Sequence, residues 1–453
     1  MFGKVKSIHF VGIGGIGMSG IAEVLCNLGF KISGSDLKSS PVTDHLTQLG
    51  VAFSIGHGPE NIQGAELLVT STAVQRDNPE VRAALQLGIP IISRGEMLAE
   101  LMRLKKGIAI AGSHGKTSTT SMVAQVLSEA GLDPTIVIGG KLAALGSNAK
   151  LGQGDYLVAE ADESDGSFLM LRPYLAVITN IDREHMDHYP DLASIKEAFI
   201  TFANSLPFYG RLFACQDDPH LASILPRINR PVRTYSTEVP ADIYATDIRQ
   251  KGFDTFFKVH VQEKCLGDFS LRVPGTHMVA NALAAIGIAL ELGLPSDKIQ
   301  GILSSFRGAD RRFTLRGERD GVLVVDDYGH HPTEIQTTLK AARRGFPERR
   351  IIAAFQPHRF TRTQALMDEF ITAFKDADLV FLTEIYPAGE KPIPGIEGKF
   401  LAEAIEKHGQ EVYFVREVQD LPKELHKIAQ SGDLLITFGA GSITQIGPKF
   451  LTL

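Results

Sequence analysis

Cysteine is scarce in this chain: Cys26, Cys215 and Cys265 are three residues, far apart and odd in number. So thin a supply excludes a disulfide framework and a cysteine metal cage, and predicts reduced thiols in a cytoplasmic protein. A basic excess is also missing. The net charge of −6 argues against a general nucleic-acid binder, whose binding domain would be basic. No apolar run is long enough for a bilayer, since the longest helical one, Ala282 to Ala289 and onward, is interrupted by Glu291. The N-terminus leads straight into strand-like sequence, without the basic region and apolar core of a secretion signal. Internal repeats, heptads and low-complexity segments are absent too. What is present, 453 residues with 44% hydrophobic and 22% charged side chains, has the balance of a globular enzyme of roughly two to four domains.

The strongest local signal is Gly107-Ile-Ala-Ile-Ala-Gly-Ser-His-Gly-Lys-Thr-Ser-Thr-Thr-Ser121. An apolar strand, Ile108 to Ala111, runs into a turn at Gly112 and Gly115, and Lys116 and Thr117 open a helix. Small residues let backbone N–H groups approach phosphate oxygens, and a helix N-terminus adds partial positive charge. Gly112, Ser113, His114, Gly115, Lys116, Thr117 and Ser118 are therefore expected to hold a nucleotide triphosphate. Lys116 would neutralise the outer phosphates and the Thr117 hydroxyl would ligate Mg²⁺. Gly112 and Gly115 enclose only two residues, fewer than the general phosphate-loop pattern.

The first hundred residues alternate strand and helix. Ile8–Val11 is a strand, followed by Gly12-Ile-Gly-Gly-Ile-Gly17 and a helix over 18–28. Further strands are expected at Lys31–Ser33, at Leu67–Thr70, which ends in Ser71-Thr72-Ala73, and at Ile91-Ile92. This pattern is Rossmann-like, with Asp36 about twenty residues on, where a ribose hydroxyl would be read. A second unit begins at Gly107. Its strands Tyr156–Ala159 and Leu175–Thr179 end in Glu160 and in Asn180-Ile181-Asp182, at the strand edge where open α/β sheets bind ligands. Residues 232–273 alternate as antiparallel strands do, and Thr276–Leu292 reads as a buried helix. After a polar bridge, Phe306–Phe313, strands at Val322–Val325, Ile351–Phe355, Leu379–Leu382, Val412–Val415 and Leu434–Phe438 alternate with helices as a third, parallel α/β unit. The expected domains are 1–105, 106–310 and 311–453, with motion between them.

Several polar clusters follow strands. Glu160-Ala-Asp162-Glu163-Ser-Asp165 holds four carboxylates, and Glu160 sits where a phosphate-loop Mg²⁺ needs one. Asp182-Arg-Glu-His185-Met-Asp187-His188 could bind a transition metal, but no Cys partner or longer His series accompanies it, which favours a nucleotide–Mg²⁺ site. Asp326-Asp327-Tyr328-Gly329-His330-His331-Pro332 and Phe355-Gln-Pro-His358-Arg359-Phe-Thr-Arg362 follow two more strands. If the segment after Pro357 is helical, Arg359 and Arg362 share a face and suit a carboxylate or an acyl phosphate.

Taken in order, these motifs resemble the Mur ligases, the ATP-dependent amide-forming enzymes of peptidoglycan synthesis, over essentially the whole chain. The glycine loop follows that family's short form, although most members have threonine where Ser113 stands. Gly12 to Ser19, Asp327-Tyr-Gly-His-His-Pro-Thr-Glu334 and Phe355 to Arg362 make the resemblance specific. The match is nearest to the members that add L-alanine to UDP-N-acetylmuramate. The resemblance implies ATP and Mg²⁺ as cofactors, with Thr117, Glu160 and His185 as metal ligands. His277 and Asn281 would lie beside adenine, and Asp327 at its ribose. Gly14, Gly15, Ile16, Gly17, Met18, Asp36 and Ser71 would hold the UDP part of the sugar. Tyr328, His330, Arg359 and Arg362 would line the site of L-alanine and the reacting carboxylate. With Lys116, Glu160 and His185, the last three are expected to carry the chemistry. The expected protein is a monomer or homodimer with no nucleic-acid or membrane partner. Competing readings are a murein-tripeptide recycling ligase of the same family, a folylpolyglutamate synthase, an NAD-dependent oxidoreductase suggested by the glycines with Asp36, and a non-catalytic ATP-binding module.

Overall fold

Apolar runs bounded by glycine and charge become strands in this chain. The computed structural model describes residues 3–71, 73–139, 149–186 and 188–453, so Thr72 and Asp187 of the motifs above lie outside the described residues. Ser7–Val11 (β1) is the centre of a five-stranded parallel sheet, with Lys31–Asp36 (β2), Ala52–Ile55 (β3), Leu67–Thr70 (β4) and Ile91–Ser93 (β5) in the order β3-β2-β1-β4-β5. One strand more than expected is present. β3 is a four-residue edge strand with Ala52 and Ile55 exposed, and its short apolar stretch, Val51 to Ile55, was not read as a strand. The helix Ile16–Asn27 starts directly after the glycine turn and buries Met18 to Leu25.

The second sheet is built from Lys106–Ala111 (β6), Thr135–Val137 (β7), Ala149–Lys150 (β8), Tyr156–Glu160 (β9), Leu175–Ile178 (β10), Arg211–Cys215 (β11), Val232–Ser236 (β12), Ile243–Lys251 (β13), Asp254–Val261 (β14) and Lys264–Leu271 (β15). Its order is β15-β14-β13-β12-β11-β10-β6-β9-β7-β8. β7, β9, β6, β10, β11 and β12 run parallel, and most of their side chains are buried, as expected for strands covered on both faces. β12 therefore continues the parallel part of the sheet and pairs parallel with β13, where the sequence predicted antiparallel strands from 232 on. β13, β14 and β15 succeed one another through two-residue turns, which only antiparallel neighbours can use.

The third sheet has the order β16-β17-β21-β18-β19-β20, from Thr314–Arg319 (β16), Val322–Asp327 (β17), Ile351–Phe355 (β18), Leu379–Leu382 (β19), Val412–Phe414 (β20) and Leu434–Phe438 (β21). β16 is antiparallel to β17 and bulged between Leu315 and Gly317; it was not expected, because its alternation is broken by that bulge and by charged residues. Alternation along β18 divides the core. Ile351, Ala353 and Phe355 pack with Leu339, Phe370 and Phe374 on one face, while Ile352 and Ala354 pack with Leu421, Leu425 and Phe450 on the other. Contacts divide the chain into two compact units, one of 1–246, 258–269 and 280–304 and one of 247–257, 270–279 and 305–453.

Candidate active site

Three loops at strand ends collect the predicted residues. The first follows β1. Gly12, at φ +78°, turns the chain, and the Gly12 and Ile13 N–H groups donate to the Ser35 carbonyl at 2.8 and 3.0 Å. Gly14 N–H donates to Asp36 Oδ2 at 2.9 Å, so Asp36 braces the loop from behind. A Cβ on Gly14 would stand 2.8 Å from that oxygen. Gly15, Ile16, Gly17, Met18 and Ser71 line a cavity of about 350 Å³, whereas Gly14 and Asp36 do not. Glu160, Asp162, Ser164 and Asp165 belong to the same cavity lining, and Arg94 reaches Asp162 at 3.1 Å. Arg94 was missed from the sequence, although it directly follows β5 and so met the strand-end criterion applied elsewhere.

A polar cluster lies beneath this loop. Glu80 is fully buried. Its carboxylate accepts from Ser35 Oγ and Asn61 Nδ2, both at 2.6 Å, and faces His57 Nδ1 at 3.2 Å and His9 Nε2 at 3.7 Å. Burial alone would raise the Glu80 carboxyl, but the side chains of His9, Ser35 and Asn61 outweigh it and hold it at about 2.

The second loop follows β6. Gly112, at φ +128°, leaves no space for a side chain, since a Cβ would sit 2.0 Å from Thr179 Oγ1. Gly115, at φ +84°, precedes the helix Lys116–Glu129, and the Asn281 amide lies against it. The strand end after β10 ties the loop down. Asn180 Oδ1 accepts from His114 N–H at 2.8 Å, Ser113 Oγ accepts from Asp182 N–H at 2.8 Å, and His114 Nε2 meets Asp182 at 2.9 Å. Lys116 Nζ curls back to the Gly112 carbonyl (2.6 Å), the Ser113 carbonyl (3.1 Å) and Glu163 Oε1 (2.8 Å). Burial disfavours its charge, yet Glu163, Asp162 and Glu184 outweigh that and raise the amine above its ordinary value. Thr117 and Ser118 follow in the first turn of that helix.

His185, in the left-handed region at φ +57°, places Nε2 3.5 Å from Glu163 and 3.7 Å from Glu184. Burial lowers the His185 pKa, but these two carboxylates win and raise it. Glu163, Glu184 and His185 offer ligand atoms within 4.8 Å of one another. Among the described residues Glu163 Oε2 is buried without a hydrogen-bond partner. An anionic, partly unsatisfied donor set of this kind fits a divalent cation. The structure thus groups His185 with Glu163 and Glu184 and puts Glu160 in the glycine-loop cavity. Both added acids stand in runs noted in the sequence, where spacing alone does not say which carboxylate turns inward.

The third group belongs to the other unit. β17 and β18 flank β21 with Asp327, Phe355 and Phe438 in register, which brings the loops after β17 and β18 to one edge. Asp327 is buried and accepts from Phe313 N–H and Gly329 N–H, each at 2.8 Å. Burial pushes its carboxyl up to about 6 against the pull of Arg312. Arg311 and Arg312 lie 4.9 and 5.3 Å from the Tyr328 ring centre. Glu334 caps its own helix by accepting from His330 N–H at 3.0 Å, and it also holds Arg312 at 3.2 Å. His277 is driven down to about 4 by burial and then by Arg312. His330 packs against His358 at 5.8 Å. Arg359 and Arg362 do not share a helix face. Arg359 is the residue before the helix Phe360–Ala365, with φ +71° and ψ 137°, so only Arg362 is helical. Arg312 was not singled out from the sequence, because its pairing with Glu334 joins segments 22 residues apart.

Comparison with known proteins covers three segments of the chain. The chain matches the descriptions "Mur ligase family, catalytic domain" over residues 7–106, "Mur ligase middle domain" over 110–289 and "Mur ligase, glutamate ligase domain" over 311–441. It is 56% identical to the UDP-N-acetylmuramate–L-alanine ligase of Trichlorobacter lovleyi, covering 99% of this chain and 98% of the relative. It is likewise 56% identical to the protein of that name from Geobacter sulfurreducens, covering 100% and 98%. Among solved structures, the UDP-N-acetylmuramate–alanine ligase of Thermotoga maritima superposes with a TM-score of 0.84 at 30% identity, covering 98% of each chain. With its sequence matched from end to end and its sheets arranged as in a solved member, this chain belongs to the Mur ligase family.

Proposed function

We propose that this protein is an ATP-dependent ligase that joins L-alanine to the lactyl carboxylate of UDP-N-acetylmuramate, yielding UDP-N-acetylmuramoyl-L-alanine, ADP and phosphate. One observation carries the reading. Residues 160–165 line the glycine-loop cavity with Glu160, Asp162, Ser164 and Asp165, and the same segment sends Glu163 to Lys116. A nucleotide-sugar cradle and a phosphate loop therefore share a wall, as a reaction between a sugar-borne carboxylate and ATP requires. An oxidoreductase would have no use for Lys116 and its buried acid. The relatives' names support the choice of substrates.

A carboxylate and an ammonium do not condense in water, because the leaving group would be hydroxide or oxide. Transfer of the γ-phosphoryl group makes an acyl phosphate, and the amine of L-alanine then displaces phosphate. The first step brings anions together. Lys116, held over the loop by Glu163, and the loop N–H groups at the helix start offset that repulsion. Mg²⁺, when bound, supplies positive charge to the phosphates. Glu163, Glu184 and His185 with Thr117 would hold it, and Glu160 would face the sugar side. The second step needs a neutral amine. His330 Nδ1 lies 3.1 Å from the Tyr328 carbonyl, which can only accept, so Nδ1 carries the hydrogen and Nε2 is the basic atom. Glu334, 3.4 Å from Nδ1, stabilises the imidazolium that results. Arg359 and Arg362 bind carboxylate. Residues 1–105, 106–310 and 311–453 are assigned to the UDP-sugar, ATP and amino acid respectively.

The test is phosphate release from ATP–Mg²⁺ with UDP-N-acetylmuramate, adding L-alanine, L-serine, glycine or L-Ala-γ-D-Glu-meso-diaminopimelate in turn. Release that needs both substrates and is fastest with L-alanine is expected. Release with the tripeptide alone would make this a recycling ligase, and none at all would end the ligase reading.

A further inference from the structure

The ring of His358 is packed from several sides. It stacks on Tyr386 at 5.6 Å and 11°, and meets His330 nearly edge-on at 5.8 Å. Backbone bonds lock the pair: Arg359 N–H donates to the Tyr386 carbonyl at 2.9 Å, and Tyr386 N–H to the Pro357 carbonyl at 2.8 Å. On one side the Tyr386 ring lies so close to Gly441 that a Cβ there would stand 2.8 Å from it. Against this fixed imidazole lies Arg362, whose Nη1 stands 3.2 Å from His358 Nδ1 and 3.3 Å from the His358 carbonyl. A guanidinium has only donors, so Nδ1 must be the acceptor, the ring hydrogen sits on Nε2, and the ring is neutral. Burial, with His330, Arg362 and Arg359 around it, holds the His358 pKa down to about 3, consistent with that state.

We propose that His358 is a positioning residue: its Nδ1 lone pair and its carbonyl fix the Arg362 guanidinium for carboxylate binding, and Tyr386 fixes the His358 ring. This rests on the reading that Arg362 meets the amino acid or the reacting carboxylate. An arginine side chain has many rotamers, and anchoring Nη1 restricts the directions in which its planar fork can point. The imidazole is the part of this arrangement that a methylene side chain cannot replace.

The experiment compares the full-length wild type with His358→Leu, His358→Asn, Tyr386→Leu and, as a control for the site itself, Arg362→Ala. Steady-state phosphate release gives kcat and a separate KM for L-alanine, UDP-N-acetylmuramate and ATP, and a thermal melt accompanies each variant. His358→Leu should raise the L-alanine or the UDP-N-acetylmuramate KM at least about tenfold while the ATP KM stays within about twofold. His358→Asn, whose Oδ1 replaces the lost acceptor, should recover most of that loss, and Tyr386→Leu should fall between. In the wild type, the ¹⁵N spectrum of His358 should report a neutral ring protonated at Nε2 at pH 6. The proposal is overturned if His358→Asn is as defective as His358→Leu, if every KM rises together with a lowered melting temperature, or if the ring is charged. Should the Leu variant fail to fold, the Asn and Tyr386→Leu arms with the ¹⁵N spectrum decide. Arg362→Ala without effect on either KM would instead overturn the site assignment, and this proposal with it.

Discussion

Replacing Glu80 by glutamine tests whether the cluster beneath the glycine loop works as a buried anion. Glu80 has no exposure, and its carboxylate receives Ser35 and Asn61 with His57 and His9 at its edge. A carboxyl held at about 2 instead of 4.5 would stabilise the fold by about 3 kcal/mol at neutral pH. Allowing for screening through the partly exposed His57 side leaves about 2 kcal/mol. The amide offers one oxygen where the carboxylate offers two, so one of Ser35 and Asn61 loses its acceptor. For a domain of this kind that is a Tm lowered by about 4–8 °C at pH 7, read by scanning calorimetry. Because the folded value lies below the unfolded one, the contribution is complete above about pH 5 and is lost as pH falls from 4.5 towards 2. The gap between wild type and Glu80→Gln should therefore narrow by about 1 kcal/mol between pH 7 and pH 3.5. Equal melting temperatures at pH 7, or a gap that ignores pH, would refute the reasoning.

Lys116→Ala should reduce phosphate release at least about 10²-fold while leaving the affinity for UDP-N-acetylmuramate, by calorimetric titration, within about threefold. Joint loss of both would count against separate sites for ATP and the sugar nucleotide. Glu163→Gln removes the acid between Lys116 and His185, so the Mg²⁺ concentration for half-maximal release should rise about tenfold; EDTA should stop the wild type and added Mg²⁺ restore it. Gly112→Ala places a methyl group against Thr179 at a backbone angle side chains avoid, and should lower stability by about 1–3 kcal/mol in urea titration and weaken ATP binding.

How much could be read in advance depended on range. The three sheets, the glycine loops and the strand-end motifs were legible because apolar runs stop at glycines or carboxylates, and the run itself marks where ligands bind. β3 and β16 were not: β3 is only four residues long at a sheet edge, and β16 carries charge and a bulge that break its alternation. Arg359 was placed on a helix by its neighbours, yet its backbone turns into a left-handed conformation just before that helix begins. The Glu80 cluster joins His9, Ser35, His57 and Asn61, up to 71 residues away, and no local period encodes such a meeting. The same holds for the choice of Glu163 over its neighbouring acids as the partner of Lys116.

The wall formed by residues 160–165 has a thermodynamic consequence. On the proposed assignment, a ligand that draws Lys116 away from Glu163 acts on a segment that also lines the proposed sugar cavity, so any change it makes to that wall is felt as a change of affinity there. Linkage makes that coupling symmetric: whatever factor ATP adds to the binding of the sugar nucleotide, the sugar nucleotide adds to the binding of ATP. The size of that shared factor sets how far a competitor aimed at one pocket depends on the concentration of the other pocket's substrate.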